Sequence, residues 1–582
     1  MENVNIKING MPMSVPAGST IIEACKLAGI DIPTLCYMKD MNEIGACRMC
    51  VVEVKGARSL VAACVYPVNE GMEVITNSPK VIESRKTTLE LILSTHDRKC
   101  LSCSRSGKCE LQTLCRELGV EDAARFDGER PTYEIDATQW LVRDNNKCVL
   151  CRRCVAACQD QYAGVIGANA RGFDTHIGCA FEQPLNNVAC IACGQCIVNC
   201  PVGALREKDD TDRVFEALAD PEKVVVVQTA PAVRAALGEE FGFEMGTNVE
   251  GKMVAALRRM GFDKVFDTDF GADLTIMEEG YEFIDRVQNG GVLPMITSCS
   301  PGWVKFLEHY YPDLIPHLST CKSPQTMQGA ITKSYWAEKN GIDPHKIVSV
   351  SVMPCVAKKF EITRDDENGA GAELQDVDIS ITTRELASMI ERVGLNFASL
   401  PDEEFDNPLG EDTGAAVIFG ATGGVMEAAL RTAADVLEGK DLESVDYTEV
   451  RGTAGIKEAT YHVGGMDVKV AVASGAKNAA VLMEKIAKGE ADYHFIEIMA
   501  CPGGCVNGGG QPIIPAKVKN FTDYKAVRAS ALYKADEAAT LRKSHKNPEI
   551  IKLYDEYLGK PNSHKAHELL HTSYVPRKKY MD

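Results

Sequence analysis

The sequence predicts a multidomain α/β chain in which a thiol-rich front end precedes one larger domain of alternating strands and helices. Three observations carry this. Of the 23 Cys, 18 lie at or before Cys200 and only five follow, so the two parts use cysteine differently. Residues 148–200 hold two runs, CVLCRRCVAAC and CIACGQCIVNCP, each spaced C-x2-C-x2-C-x3-C. Beyond residue 210, apolar β-branched runs alternate with helical patterns, the rhythm of a largely parallel sheet covered on both faces. A chain of 582 residues has room for about four domains.

Composition narrows the function. A net charge of −19 argues against nucleic acid, which needs basic surface. The start, MENVNIKINGMPMSV, lacks the basic and long apolar regions of a signal peptide, and no run of 18 uncharged apolar residues spans a membrane. So many thiols in a large chain fit metal-bound, reduced cysteines of a cytoplasmic protein better than disulfides.

The opening segment, residues 1–78, alternates like short strands in VNIKING and MSVP. A helix is expected from Thr20, an N-cap candidate, through IIEACKLAG to Gly29. Cys36, Cys47, Cys50 and Cys64 then stand at C-x10-C-x2-C-x13-C, unlike the plant-ferredoxin spacing. The pattern resembles the 2Fe–2S domain that begins the large redox subunit of complex I and of multi-cluster hydrogenases. That resemblance implies a β-grasp fold holding one 2Fe–2S cluster. Cys25, among apolar neighbours, reads as a buried inert thiol.

Residues 79–126 carry THDRKCLSCSRSGKCELQTLC, with His96, Cys100, Cys103 and Cys109 at H-x3-C-x2-C-x5-C. One imidazole and three thiolates suit zinc, which the spacing alone leaves open. The same two redox families hold a 4Fe–4S cluster on such a set, and the resemblance implies one here. Neutral imidazole in place of a thiolate makes the cluster less negative and raises its potential. Cys115 reads as packing. Residues 127–147 are expected to be a linker into the doubled run, whose domain is bounded at 138–210.

The doubled run matches the bacterial-ferredoxin ladder, in which the fourth Cys of each run crosses to the other cluster. It assigns Cys148, Cys151, Cys154 and Cys200 to one 4Fe–4S cluster, and Cys190, Cys193, Cys196 and Cys158 to a second. C-x2-C pairs also build zinc ribbons, but eight Cys in this order favour clusters, and with them electron transfer. Cys179 has no assigned role. Two classes remain: a subunit that only passes electrons, and an enzyme with its own site beyond residue 210.

In the domain 211–582, strands are expected at VVVVQTAPAV (224–233), VLPMITS (292–298), IVSVSVMP (347–354), AVIFG (416–420) and FIEIMA (495–500). Helices are expected at VAALRRMG (254–261) and TTRELASMIERVG (382–394). Ligands bind at strand C-termini in such sheets, and Cys299, Cys355, Cys501 and Cys505 fall there. They lie in TSCSPGW (297–303), MPCVAKKFE (353–361) and MACPGGCVNGGGQP (499–512), whose glycines allow close backbone approach to a cofactor.

These segments closely resemble the three signature motifs of the iron-only (FeFe) hydrogenases, and the resemblance runs over essentially the whole chain, including the tail SHKNPEIIKLYDEYLGKP and HELLHTSY. It implies an H-cluster, a 4Fe–4S cube joined through one Cys to a di-iron unit carrying CO, cyanide and an azadithiolate. Cys355, Cys501 and Cys505 match cube ligands, with Cys505 bridging to the di-iron unit. Lys358 matches a donor to cyanide. Ala230, Pro231, Ala232, Pro324, Gln325, Met353 and Met499 match the di-iron pocket.

Many members carry two adjacent Cys in the first motif, the first relaying protons and the second binding the cube. Here the pair is Cys299-Ser300. Strict alignment makes Cys299 the relay and puts Ser300 at the ligand position; a local shift makes Cys299 the ligand instead. Glu279, Ser319, Glu282 and Arg286 match the rest of the family's proton relay, and a solvated charged face is the bland alternative. Cys321 reads as packing. GATGG (420–424) lacks the Walker Lys and Rossmann spacing and reads as pocket lining. The resemblance implies H2 and protons as substrates, ferredoxin or flavin- and NAD(P)-binding subunits as partners, and dedicated maturation proteins.

Overall fold

The computed structural model describes residues 2–121, 124–126, 128–443 and 445–580. Residues 122, 123 and 127, at the expected end of the second unit and start of the linker, lie outside them, as do Met1, Ser444, Met581 and Asp582.

The first unit is a mixed sheet of β1 (Asn3–Ile8), β2 (Met11–Pro16), β3 (Val51–Val54), β4 (Val61–Ala62) and β5 (Glu73–Ile75), in the order β2-β1-β5-β3-β4. Its helix, Ile21–Leu27, starts at Thr20 with a capping box: Glu23 accepts from the Thr20 backbone N–H at 2.9 Å while the Thr20 hydroxyl accepts from the Glu23 N–H. Gly29 follows with φ +72°, a conformation only glycine adopts without cost. The long helix Pro79–Thr95 leads to His96, and Glu110–Leu118 follows Cys109.

Next come β6 (Asp136–Ala137), β7 (Leu141–Arg143), β8 (Gly167–Asn169), β9 (His176–Gly178) and β10 (Leu205–Glu207). β10, β7 and β6 form one antiparallel sheet, β8 and β9 a second. The expected linker 127–147 is therefore corrected over its second half. Leu141, Val142 and Arg143 are buried, and β7 pairs with a strand more than sixty positions on, a partner that local composition does not announce. The helices Arg153–Asp160 and Gln195–Val198 each begin at a residue with positive φ, Arg152 and Gly194, directly after a Cys-rich turn.

The largest unit contains β11 (Val224–Thr229), β12 (Lys264–Asp267), β13 (Met295–Ile296), β14 (Ile347–Met353), β15 (Ile379–Thr382), β16 (Ile456–Val463), β17 (Met466–Ser474) and β18 (Phe495–Met499). They make two sheets rather than the single one expected. One is all-parallel in the order β12-β11-β14-β15; the other, β13-β18-β17-β16, is parallel except for the β16–β17 hairpin. AVIFG is not a strand: Gly414–Val417 is α-helical and Ile418–Gly420 is 3-10 helix. A five-residue apolar run suits a buried helix equally well. Here Gly414, Ala415 and Ala416 are small enough to lie against the helices Thr268–Asn289 and Tyr524–Ala538, and a Cβ on Gly414 would stand 2.2 Å from the Asp536 carboxylate. Among the described residues no helix is long and apolar enough to cross a membrane.

Candidate active site and iron–sulfur centres

In the first unit Cys36, Cys47, Cys50 and Cys64 come together as two pairs. Cys50 and Cys64 sulfurs are 3.3 Å apart, and a hydrogen bond from Cys36 draws the Cys47 thiol down to about 6. Cys50 is lowered by Cys64 in the same way. Two pairs of thiols, each with a lowered member, suit two metal ions with two thiolates apiece.

His96, Cys100, Cys103 and Cys109 lie around the turn between the two helices of the second unit. His96 is buried with Nδ1 lacking any hydrogen-bond partner, and burial lowers its proton affinity, so the imidazole is neutral and free to bind metal. This group sits against the end of the doubled run. Cys109 Sγ lies 3.8 Å from the Pro201 carbonyl, and a Cβ on Gly203 would stand 2.5 Å from Cys103 Sγ.

Within the doubled run, Cys148, Cys151, Cys154 and Cys200 line one cavity and Cys158, Cys190, Cys193 and Cys196 line another. Burial raises all four thiols of the first set, so iron-free sites hold protons that metal binding must release. The Asn42 side-chain amide bridges the sets, donating to Cys36 O at 2.7 Å and Cys151 O at 3.1 Å. Cys115 is raised to about 11 by burial. Cys179 is buried beside the Arg143 guanidinium, 3.7 Å away.

The second cavity abuts the loop after β18. Cys501 Sγ is 4.0 Å from the Cys193 carbonyl, and Gly194 meets Gly509 backbone to backbone. A Cβ on Gly509 would stand 2.4 Å from Cys193 O, so only glycine permits this approach. The Gln195 amide donates to Asn507 O at 2.9 Å and fixes the same contact.

Cys355, Cys501 and Cys505 converge from the ends of β14 and β18; Cys355, Cys193 and Cys505 all act as charge neighbours of the Cys501 thiol. Gly504 and Gly508 lie so close to the Thr422 N–H and the Pro354 carbonyl that no side chain fits. The 420–424 segment packs here, and Gly423 N and Met426 N donate to the buried Glu497 carboxylate. Ser300 opens the helix Pro301–Tyr310, and its hydroxyl accepts from Ala500 N at 3.1 Å, next to Cys501. Cys299 is buried, with Glu279, Lys358 and Cys505 among its charge neighbours.

Lys358 is a buried cation. Burial pulls its pKa down, but Glu361 at 2.9 Å outweighs this and holds it above the ordinary range. Lys358 also donates to Cys299 O at 3.2 Å. Glu361 collects Ser323 at 2.7 Å and Gln325 at 2.6 Å, and Gln325 accepts from Ser351 at 2.8 Å. Glu361 is the residue that sequence reasoning passed over, although its position three after Lys358 on one helical turn was the available signal. Ala230, Pro231, Ala232, Gln325, Met353 and Met499 are buried, Gln325 directly on Glu361, and Pro324 is half-buried. Gln511 donates to Ala232 O at 2.7 Å.

Glu279, Glu282 and Arg286 share the helix Thr268–Asn289. Glu279 is completely buried; burial, helped by Glu282, pushes it up to about 8, while the Ser319 hydroxyl and the Ser298 backbone beside it pull the other way. Ser319 donates to Glu282 at 2.8 Å, and Arg286 donates to Glu282 at 2.6 Å. Arg286 also holds the carbonyls of Pro316, His317 and Leu318. Cys321 is more than packing: its sulfur lies 3.7 Å from Glu282 Oε2.

Comparison with known proteins follows the same division. The chain matches the family described as iron only hydrogenase large subunit, C-terminal domain, over residues 223–509, and iron hydrogenase small subunit over 522–577. Residues 1–79 match a 2Fe-2S iron-sulfur cluster binding domain, and 85–124 match the NADH-ubiquinone oxidoreductase-G iron-sulfur binding region. The NADP-reducing hydrogenase subunit HndD of Solidesulfovibrio fructosivorans is 51% identical over 100% of both chains. Iron hydrogenase 1 of Clostridium pasteurianum is 45% identical, covering 98% of this chain and 99% of that one. Among solved structures, an apo FeFe hydrogenase of Chlamydomonas reinhardtii is 46% identical with a TM-score of 0.57, covering 64% of this chain and 100% of that one.

Proposed function

The chain belongs to the iron-only hydrogenases, and we propose that it is the catalytic subunit of an NAD(P)-linked enzyme whose residues divide into an H-cluster cradle, a proton relay and a forked electron path. It catalyses reversible oxidation of H2 to protons and electrons, with N-terminal iron–sulfur centres as electron carriers. The observation that carries the residue assignment is the convergence of three strand-end loops, bearing Cys355, Cys501, Cys505 and Ser300, beside a buried carboxylate helix.

The H-cluster, when bound, supplies the redox chemistry that splits or forms H2. Cys355, Cys501 and Cys505 would hold its cube, with Ser300 as the candidate fourth ligand; the support is the bond of Ser300 Oγ to Ala500 N beside Cys501. Lys358, kept charged by Glu361, directs its N–H donors into the pocket lined by Ala230, Pro231, Ala232, Pro324, Gln325, Met353 and Met499. These apolar walls exclude water. Cys299 passes protons between the pocket and Glu279: in H2 evolution protonated Glu279 gives its proton to Cys299 and is reprotonated through Ser319, Glu282 and Arg286, and in H2 oxidation each transfer reverses. The support is the order of the groups: Ser319 bonded to Glu282, Glu282 to Arg286, and Arg286 at the surface end.

Electrons take the opposite direction. The 2Fe–2S centre of a β-grasp unit, on Cys36, Cys47, Cys50 and Cys64, reaches the first ladder cluster through Asn42. The 4Fe–4S centre on His96, Cys100, Cys103 and Cys109 reaches the same cluster through Pro201 and Gly203. Cys148, Cys151, Cys154 and Cys200 would hold that junction of a bacterial-type two-cluster ferredoxin domain, and Cys158, Cys190, Cys193 and Cys196 would hold a second cluster, beside the turn that contacts the Cys501 loop. Two N-terminal entries thus serve partners in the cytoplasm: ferredoxin and a flavin- and NAD(P)-binding subunit. The relative named as NADP-reducing across its full length supports the second.

Anaerobic H2 evolution from reduced methyl viologen, after maturation and alongside infrared spectra of the CO and cyanide stretches, tests the assignment. Cys505→Ala is expected to abolish turnover and those bands while keeping most of the N-terminal cluster absorbance. Normal turnover in that variant overturns the cradle.

A further inference from the structure

Glu282, Cys321 and His571 bring a carboxylate oxygen, a thiol and an imidazole nitrogen within 4.8 Å of one another. They come from three distant places. The extended segment 319–322 runs antiparallel to 570–572, with Thr572 N donating to Thr320 O and Lys322 N to Leu570 O, both at 2.8 Å. Cys321 and His571 are directly opposed in that bridge. Glu282 meets them from the helix Thr268–Asn289, its Oε2 3.7 Å from the Cys321 sulfur.

The set has the chemistry of a zinc site. Zinc takes S, N and O ligands at about 2.3, 2.0 and 2.0 Å in a tetrahedron, which puts a sulfur and an oxygen about 3.5 Å apart. The Cys321–Glu282 separation of 3.7 Å is already close to that. The ring of His571 is held on both sides: Nε2 by Glu278 Oε2 at 3.1 Å, and Nδ1 by Thr320 Oγ1 at 2.8 Å. Either nitrogen can turn to a cation while the other stays anchored, the outer-shell arrangement of bound imidazoles. Glu278 is fixed in turn by the hydroxyl of Tyr554 and by Asn562 N at 2.8 Å. Two carboxylates and a thiol stand at the point, the Arg286 guanidinium is bonded to Glu282, and the His567 ring packs on His571 with centroids 3.9 Å apart. Three protein ligands leave the fourth position of the tetrahedron open.

We propose that Glu282, Cys321 and His571 form a binding site for a zinc-class divalent cation that blocks the proton relay. The block rests on the relay assigned above. Oε2 of Glu282 is the oxygen that accepts from Ser319 at 2.8 Å. A cation on that oxygen removes the acceptor for the Ser319 proton and separates Glu279 from Arg286.

The test adds one equivalent of zinc to the mature, iron-replete enzyme under argon, and reads zinc-edge X-ray absorption together with H2 evolution and iron content. The expected result is one sulfur at about 2.3 Å with nitrogen and oxygen at about 2.0 Å, iron unchanged, and turnover reduced at least tenfold. Cys321→Ser and His571→Gln are expected to keep zinc-free turnover. Cys321→Ser loses the sulfur shell, and both variants escape inhibition. A wild-type spectrum without sulfur, or a sulfur shell that persists in Cys321→Ser, overturns the site. A site that binds as expected while turnover stays unchanged overturns the block and the passage of protons through Glu282, and leaves the cradle untouched.

Discussion

In the proposed relay Glu279 is a single buried carboxyl held in its protonated form. Raised to about 8 by burial and by Glu282, it is neutral through the physiological range and able to donate. Below about 8 it carries its proton; above, the charged form interrupts delivery, so H2 evolution is expected to fall as pH rises through that value. Glu279→Gln is expected to lower turnover by about 100-fold and to remove that limb from the pH–rate profile. The same shift bears on stability. The folded chain holds this proton more tightly than the unfolded one, so its contribution declines as pH rises from the ordinary carboxylate range to about 8. Glu361 acts differently, as the counter-charge of Lys358. Glu361→Gln leaves a buried cation unpaired and is expected to cost about 3 kcal/mol, read as a lower midpoint in thermal unfolding, with displaced cyanide bands in the infrared.

At the scale of elements, the contact between the Cys193 turn and the 501–509 loop joins the electron path to the cradle. Gly509→Ala forces a methyl against Cys193 O at 2.4 Å and Gly194 Cα at 2.6 Å. Overpacking of this kind costs about 2 kcal/mol, and the loops must part. Reduction of the N-terminal centres by H2 is expected to slow more than H2 evolution driven directly by a small dye, a comparison that stopped-flow absorbance makes. The Cys ladders that create this contact were legible in the sequence because ligand spacing is local: a C-x2-C turn needs nothing from the rest of the chain. AVIFG misled because five apolar residues carry no period, and its helical form depends on Gly414 meeting Asp536. β7 was hidden for the same reason, since its partner β10 lies beyond two cluster sites. Cys321 read as packing because Glu282 lies 39 positions before it and His571 far beyond it.

Across the whole molecule, metal and fold are unequally coupled. In the first 210 residues the candidate ligands are themselves core: Cys109, Cys154, Cys190 and Cys200 pack with Leu89, Trp140 and Ile197 in one cluster. Most strands there are only two to four residues long, so the candidate ligands carry a large share of the packing around them. The larger unit has two four-stranded sheets with cores of Val, Ile, Leu and Phe that need no metal. An iron-free chain is therefore expected to unfold in two steps, the N-terminal part first, and cluster reconstitution to raise the first transition alone. Differential scanning calorimetry before and after reconstitution checks this; a single transition in the iron-free chain contradicts it.

The pairing of 319–322 with 570–572 has a consequence for the order of events in the cell. Thr320 and His571 are 251 positions apart, and Tyr574 closes the same wall by donating to Ser319 O at 2.8 Å. The ribosome releases the cradle cysteines well before it releases this strap. A nascent chain therefore holds every sulfur of the proposed cradle before the strap can cover Ser319 and Glu282. Chemistry becomes insulated only after the last helix, His564–Leu570, has folded back across the domain. Synthesis itself sets the sequence: metal ligands first, seal last.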